Sequence, residues 1–144
     1  MFSREQCRQE IVHLHEFFVG WYTGTTERDT FNDFEEALGE DFQLISPEGR
    51  ILSRTDVVEM VNANREQYEV GEFDIEIRNV EVVDSGGERT LCRYEEHQRG
   101  PDGADSRLST VLFAPGVERD GSQERPPLEW RYLQETWLDR SGES

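Results

Sequence analysis

The sequence predicts an α+β fold. Three N-terminal helices and a small hairpin pack on a strongly curved, mainly antiparallel sheet. Three observations carry this prediction. Apolar residues recur at helical spacing in the first half of the chain. From Phe73 onward they alternate with a period of two, the signature of half-buried strands. That alternation slips by one residue near Arg78 or Asn79, as a β-bulge would make it, and a bulge helps a sheet bend. Helices in one block and antiparallel strands in another define the class. The 144 residues suit a single domain, 1–144.

The first helix is read from Cys7, Ile11, Leu14, Phe18 and Trp21, one stripe widened by Phe17 and Tyr22 and stopped by Gly24. Phe31, Phe34 and Leu38 mark a short second helix closed by Gly39. "DFQLISPEGRILS" changes period: Phe42, Leu44 and Ser46 alternate, Pro47–Gly49 turn, and Ile51 and Ser53 alternate again. "TDVVEMVNANREQY" reads as the third helix, capped by Thr55 or by Asp56 with Glu59 as capping-box partner. Val57, Val58, Val61 and Tyr68 are its inward residues. Four strands then form a meander: "FDIEIRNVEVV", "RTLCRYEEHQR", "RLSTVLF" and "LEWRYLQETWL", with a long polar loop over residues 115 to 127.

Composition narrows the partners. There are 32 acidic residues against 15 basic ones, a formal charge of -17, and every base is arginine. Without a basic run, nucleic acid and anionic membranes are expected to be repelled. No stretch approaches a membrane span. "MFSREQCRQE" has no apolar signal core, and two cysteines make no disulfide framework, so a reducing cytoplasm is the expected location.

Three stretches in this order resemble the nuclear transport factor 2-like superfamily, which includes SnoaL-like cyclases, ketosteroid isomerases and scytalone dehydratase. They are "FFVGWYTG", "LISPEGRILSRTDVVEMV" and "LEWRYLQETWL". The resemblance implies a cone, or cystatin-like roll, with a pocket between bent sheet and helices. It also implies a homodimer paired through the outer face of the sheet.

Candidate chemistry is weighed against that expectation. Isomerase-like members carry a general-base Asp just before the Pro-x-Gly turn, where this chain has Ser46, and a serine hydroxyl is no base near neutral pH. His97 is the leading catalytic candidate, because strand alternation puts it on one face with Glu95 and Arg93, and a carboxylate can set a histidine's tautomer. Glu135, between Leu133 and Trp137, is the second; desolvation would raise its pKa unless an arginine pairs with it. His13 and His15, two apart on a helix, point about 200° from each other and cannot share a metal. Neither a metal nor a cofactor is expected.

"LEWRYLQETWL" carries aromatics on both faces. The face of Trp130, Tyr132, Gln134 and Thr136 is assigned to the pocket, and that of Leu133, Glu135 and Trp137 to the outside. Trp21, Tyr22, Phe42, Trp130, Tyr132 and Gln134 are the expected ligand-binding residues. The leading functional expectation is a small domain binding an apolar or aromatic molecule. The alternatives are a cofactor-independent dehydratase, cyclase or isomerase working by general acid–base chemistry, and a homo-oligomeric interaction module.

Overall fold

A computed structural model describes residues 2–116 and 128–140. The chain runs α1 (Arg4–Thr23), a 3-10 turn, α2 (Phe31–Ala37), β1 (Leu38–Ile45), β2 (Ile51–Ser53), α3 (Arg54–Ala63) and then β3 (Asp74–Gly86), β4 (Arg89–Gly100), β5 (Gly103–Pro115) and β6 (Leu128–Arg140). Most of the predicted polar loop, residues 117–127, lies outside the described residues.

One six-stranded sheet has the order β2-β1-β6-β5-β4-β3. The last four strands form the expected antiparallel meander. β6 then pairs in parallel with β1, which returns the end of the chain to the helical block. The bulge expected near Arg78 or Asn79 is present: Arg78 lies opposite Glu95, Glu81 lies opposite Arg93, and Asn79 has φ 55°. Asparagine tolerates this left-handed conformation better than most residues. The slip lets Ile77 and Val80, three residues apart, both face inward.

Local chemistry sets the helix ends. Ser3 and Gln6 form a capping box at the start of α1, and Gly24 ends it at φ 77°. The cap of α3 is Ser53, not Thr55 or Asp56. The Ser53 hydroxyl accepts from the Asp56 amide, and the Asp56 carboxylate accepts from the Ser53 amide. Asp56 is therefore the capping-box partner rather than the cap. Such a cap is worth about 1 kcal/mol. Gly39 does not close α2 but sits inside β1, where a Cβ would meet the Glu129 carboxylate of β6 at 2.7 Å. A side chain there would displace the Glu129 carboxylate. α3 stops at Ala63, short of Tyr68, which instead stacks on Phe73.

The core lies between the concave face of the sheet and the helices. Trp21, Tyr94, Phe113 and Trp130 are its largest fully buried side chains. Arg54 ties the helices together by donating to the carbonyls of Glu35 and Leu38. The Trp21 indole donates to Val61 O at 2.8 Å, joining α1 to α3. No helix among the described residues is long and apolar enough to cross a membrane.

Candidate functional site

Strand parity decides which side chains enter the cone. In β4, Thr90, Cys92, Tyr94, Glu96 and Gln98 face inward, and Arg93, Glu95 and His97 face outward. In β5 the inward set includes Arg107, Ser109, Val111 and Phe113, which pair across from Glu96, Tyr94, Cys92 and Thr90. In β6 another slip intervenes: Phe113 pairs with Trp130 but Leu112 with Tyr132, so Arg131 is the extra residue. Trp130 faces inward before the bulge, and Leu133, Glu135 and Trp137 face inward after it. The expected division of this strand is thus corrected. Trp130 is in the cone, while Tyr132, Gln134 and Thr136 lie on the convex face.

The cone encloses a cavity of about 390 Å³. Most of its wall is apolar, with Leu14, Phe18 and Phe34 from the helices and Phe42, Leu44 and Leu133 from the sheet. Ser46, Pro47, Glu48 and Arg50 of the hairpin turn also line it. The Trp137 indole donates to Glu48 at 2.9 Å, so the turn is fastened to β6.

One wall is polar. His15 is 4% exposed, and both its ring nitrogens face oxygen. Nδ1 lies 2.7 Å from Ile11 O, one helical turn back, and Nε2 lies 3.0 Å from the Glu96 carboxylate. A neutral ring can donate from only one nitrogen. Two acceptors therefore favour the imidazolium. Burial pulls the His15 pKa down, but the charge and hydrogen bond of Glu96 and the Ile11 carbonyl outweigh it, and the net shift is upward. For Glu96, burial pushes up, and the His15 charge and hydrogen bond, Arg107 and Gln98 hold it well below the usual carboxylate range. Geometry and electrostatics both point to the pair His15⁺–Glu96⁻.

Glu135 stands beside it. The Arg107 guanidinium donates to it at 3.2 Å and lies 4.8 Å from the centre of the Trp137 ring. Burial, then the charge of Glu96, push the Glu135 pKa up to about 7, against the pull of Arg107 and His15. Tyr22 lines the same cavity, and burial with the Glu96 charge raises its phenol above the ordinary value.

The predicted site residues are therefore divided. Tyr22, Phe42, Trp130 and Glu135 line the cavity. Trp21 does not; it is a core pillar bonded to Val61 and covered by the Arg65 guanidinium at 5.0 Å. Tyr132 and Gln134 are bonded to each other on the convex face. His97 and Glu95 are paired at 2.9 Å on that same face, so they do not meet Glu135. Hydrogen bonds from Asn79, then His97, hold Glu95 below the usual range, as expected of a surface network. Sequence reasoning missed His15, Glu96 and Arg107. A signal for Glu96 lies in the sequence: Cys92 and Tyr94 make the even-numbered face of β4 the apolar one, which turns Glu96 inward with them. His13 is exposed where His15 is buried, and no three His, Cys, Asp or Glu side chains among the described residues are grouped to hold a metal ion.

A bent sheet closed over helices around a cavity with one polar wall is the α+β cone of the superfamily suggested by the sequence. No family model and no curated protein matches the chain. Among solved structures it is similar to an NTF2-like protein of unknown function from Pseudomonas aeruginosa, at 30% identity and TM-score 0.79, over 92% of this chain and 98% of that one. The chain belongs to the NTF2-like superfamily. The same fold appears in ActVI-ORFA from Streptomyces coelicolor, at 11% identity and TM-score 0.63, over 93% and 96% of the two chains. It appears again in a candidate calcium/calmodulin-dependent kinase II association domain from Exiguobacterium sibiricum, at 14% identity and TM-score 0.62, over 98% and 99%.

Proposed function

We propose that the chain binds a small molecule with an apolar or aromatic body inside the cone. The supporting observation is the cavity itself: about 390 Å³, mostly apolar, with its polar groups gathered on one wall. Binding sites for small molecules have this composition, with a few placed polar groups fixing orientation. A thermal-shift panel of planar apolar compounds tests the reading. At least one compound should raise the Tm in a concentration-dependent way. A panel-wide absence of shifts with the folded protein contradicts it.

A specific observation favours a second reading, general acid–base catalysis without a cofactor. Glu135 lines the cavity, and its pKa of about 7 suits a group that gives and takes a proton near neutral pH. Glu135 replaces His97 and Glu95 in this role, because those two lie on the convex face.

The convex face supports a further element of the proposal, a homodimer. It presents Leu108, Leu112, Tyr132 and Leu138, the last 49% exposed, among polar neighbours. Light scattering should give twice the 16.8 kDa chain mass, and a monomer at working concentration contradicts the pairing.

A further inference from the structure

The guanidinium of Arg107 is under-used. It has five N–H donors, and its only hydrogen bond among the described residues goes from Nη1 to Glu135. Nη2 lies 3.8 Å from Asp105, beyond hydrogen-bond range, and Nε is buried without a partner. The Trp137 ring covers one face of the group, so further partners must approach in the guanidinium plane, as a carboxylate does. The other cation of this wall is spent: both nitrogens of His15 are engaged, and its charge is matched by Glu96.

We propose that the cavity receives a monocarboxylic acid with an apolar or aromatic body, the ligand carboxylate pairing with Arg107 while Glu135 holds a proton. The inference rests on the small-molecule reading above and names its ligand class. Charge bookkeeping ties anion binding to a protonated Glu135. With Glu135 ionised, His15, Glu96, Arg107, Glu135 and Asp105, which pairs with Arg107 at 3.8 Å, sum to -1, and an added anion is repelled. With Glu135 neutral, the same groups sum to zero, and its carboxyl can also donate to the ligand. A dianion such as a phosphate monoester would need a second cation, and the other arginine lining the cavity, Arg50, belongs to the hairpin turn. The apolar body of the ligand would lie against Leu14, Phe18, Leu44 and Leu133.

Glu135 is faced by Arg107 and Ser109 from β5, by Glu96 and Tyr94 from β4, and by His15 and Tyr22 from α1. Of these, Glu96 works against its ionisation, and Arg107 and His15 work for it. The sign of the pH effect follows. Binding selects protonated Glu135, so affinity is full below its pKa in the free protein and falls as pH rises through it. Ionisation of the ligand contributes nothing in this window, because a simple carboxylic acid is already ionised at pH 6.

The test is isothermal titration of the full chain with 1-naphthylacetate, 1-naphthylacetamide and 1-naphthylmethylamine at pH 6 and pH 8. The acid should bind at least about ten-fold more tightly than the amide at pH 6, with its affinity falling about ten-fold by pH 8 and proton uptake at the higher pH. Arg107→Gln should remove the preference for the acid. Glu135→Gln, which keeps Arg107 and imitates the protonated carboxyl, should hold the acid equally at both pH values. Equal or tighter binding of the amide or the amine overturns the carboxylate inference and leaves the pocket reading standing. Failure of all three ligands to bind the folded protein overturns both.

Discussion

His15→Leu is expected to cost about 3–5 kcal/mol of folding stability, read by urea denaturation at pH 7. The substitution leaves Glu96, 4% exposed, without its cation. A buried carboxylate so stripped must either carry its desolvation penalty or take up a proton. Gln98 and Arg107 also act on Glu96, which keeps the cost finite. Glu96→Leu alone should be costly for the reciprocal reason, since a histidine with two acceptors would be left with one. The double replacement His15→Leu/Glu96→Leu should recover most of the loss, because an apolar pair of similar size carries no desolvation penalty. The coupling between the two sites, read from the full mutant cycle, should reach about 2 kcal/mol. Additive losses would mean that the two residues act separately.

Glu135→Gln is expected to stabilise the protein at pH 8 by roughly 2–3 kcal/mol and to change little at pH 5. An acid whose folded pKa is raised binds more protons when folded than when unfolded. Stability therefore falls as pH rises from the ordinary carboxylate value of 4.5 to about 7, and it levels off above. The amide has no charge to desolvate, so that slope should vanish. The measurement is the difference between variant and parent stability across pH, since the many surface acids contribute their own slope to both. A variant less stable than the parent at pH 8 would mean that Arg107 fully compensates an ionised Glu135.

Stabilisation by Glu135→Gln would agree with the proposed binding role, in which polar groups are held for function at some cost in stability. His15–Glu96 is bonded on all sides and contributes to the fold. Glu135 and Arg107 satisfy each other only in part. The second pair is accordingly where the proposed ligand has most to offer.

Much of the fold was legible in the sequence because periodicity reports burial. The slip from Ile77 to Val80 marked a bulge, and the bulge is there. The slip from Trp130 to Leu133 carries the same mark, but alternation from Trp130 also runs on unbroken through Tyr132, Gln134 and Thr136. That single residue, Arg131, reversed the assignment of Tyr132, Gln134, Glu135 and Trp137. The bland side chain at the break hid it: Arg131 reads as an ordinary outward residue, whereas Asn79 belongs to the few types that accept positive φ. In β4 alternation separates the two faces, but the histidine of that strand, His97, stands on the charged outer one. The inward polar residues are joined by pairings of long sequence separation, His15 with Glu96 and Arg107 with Glu135, which no local window contains. The parallel pairing of β1 with β6 is of the same kind. The α3 cap, Ser53, lies two or three residues before the expected Thr55 or Asp56 for a simpler reason, since "SRTD" offers three capping side chains within four residues.

The most direct test of the cavity as the binding site is ligand titration followed by amide and indole NMR of the labelled chain, with 1-naphthylacetate at pH 6. Shifts should concentrate on the concave face, at the Trp137 indole, Leu133, Leu44 and Phe18, and leave His97, Tyr132 and Gln134 of the convex face unmoved. Shifts confined to the convex face, or none at saturating ligand, would contradict it.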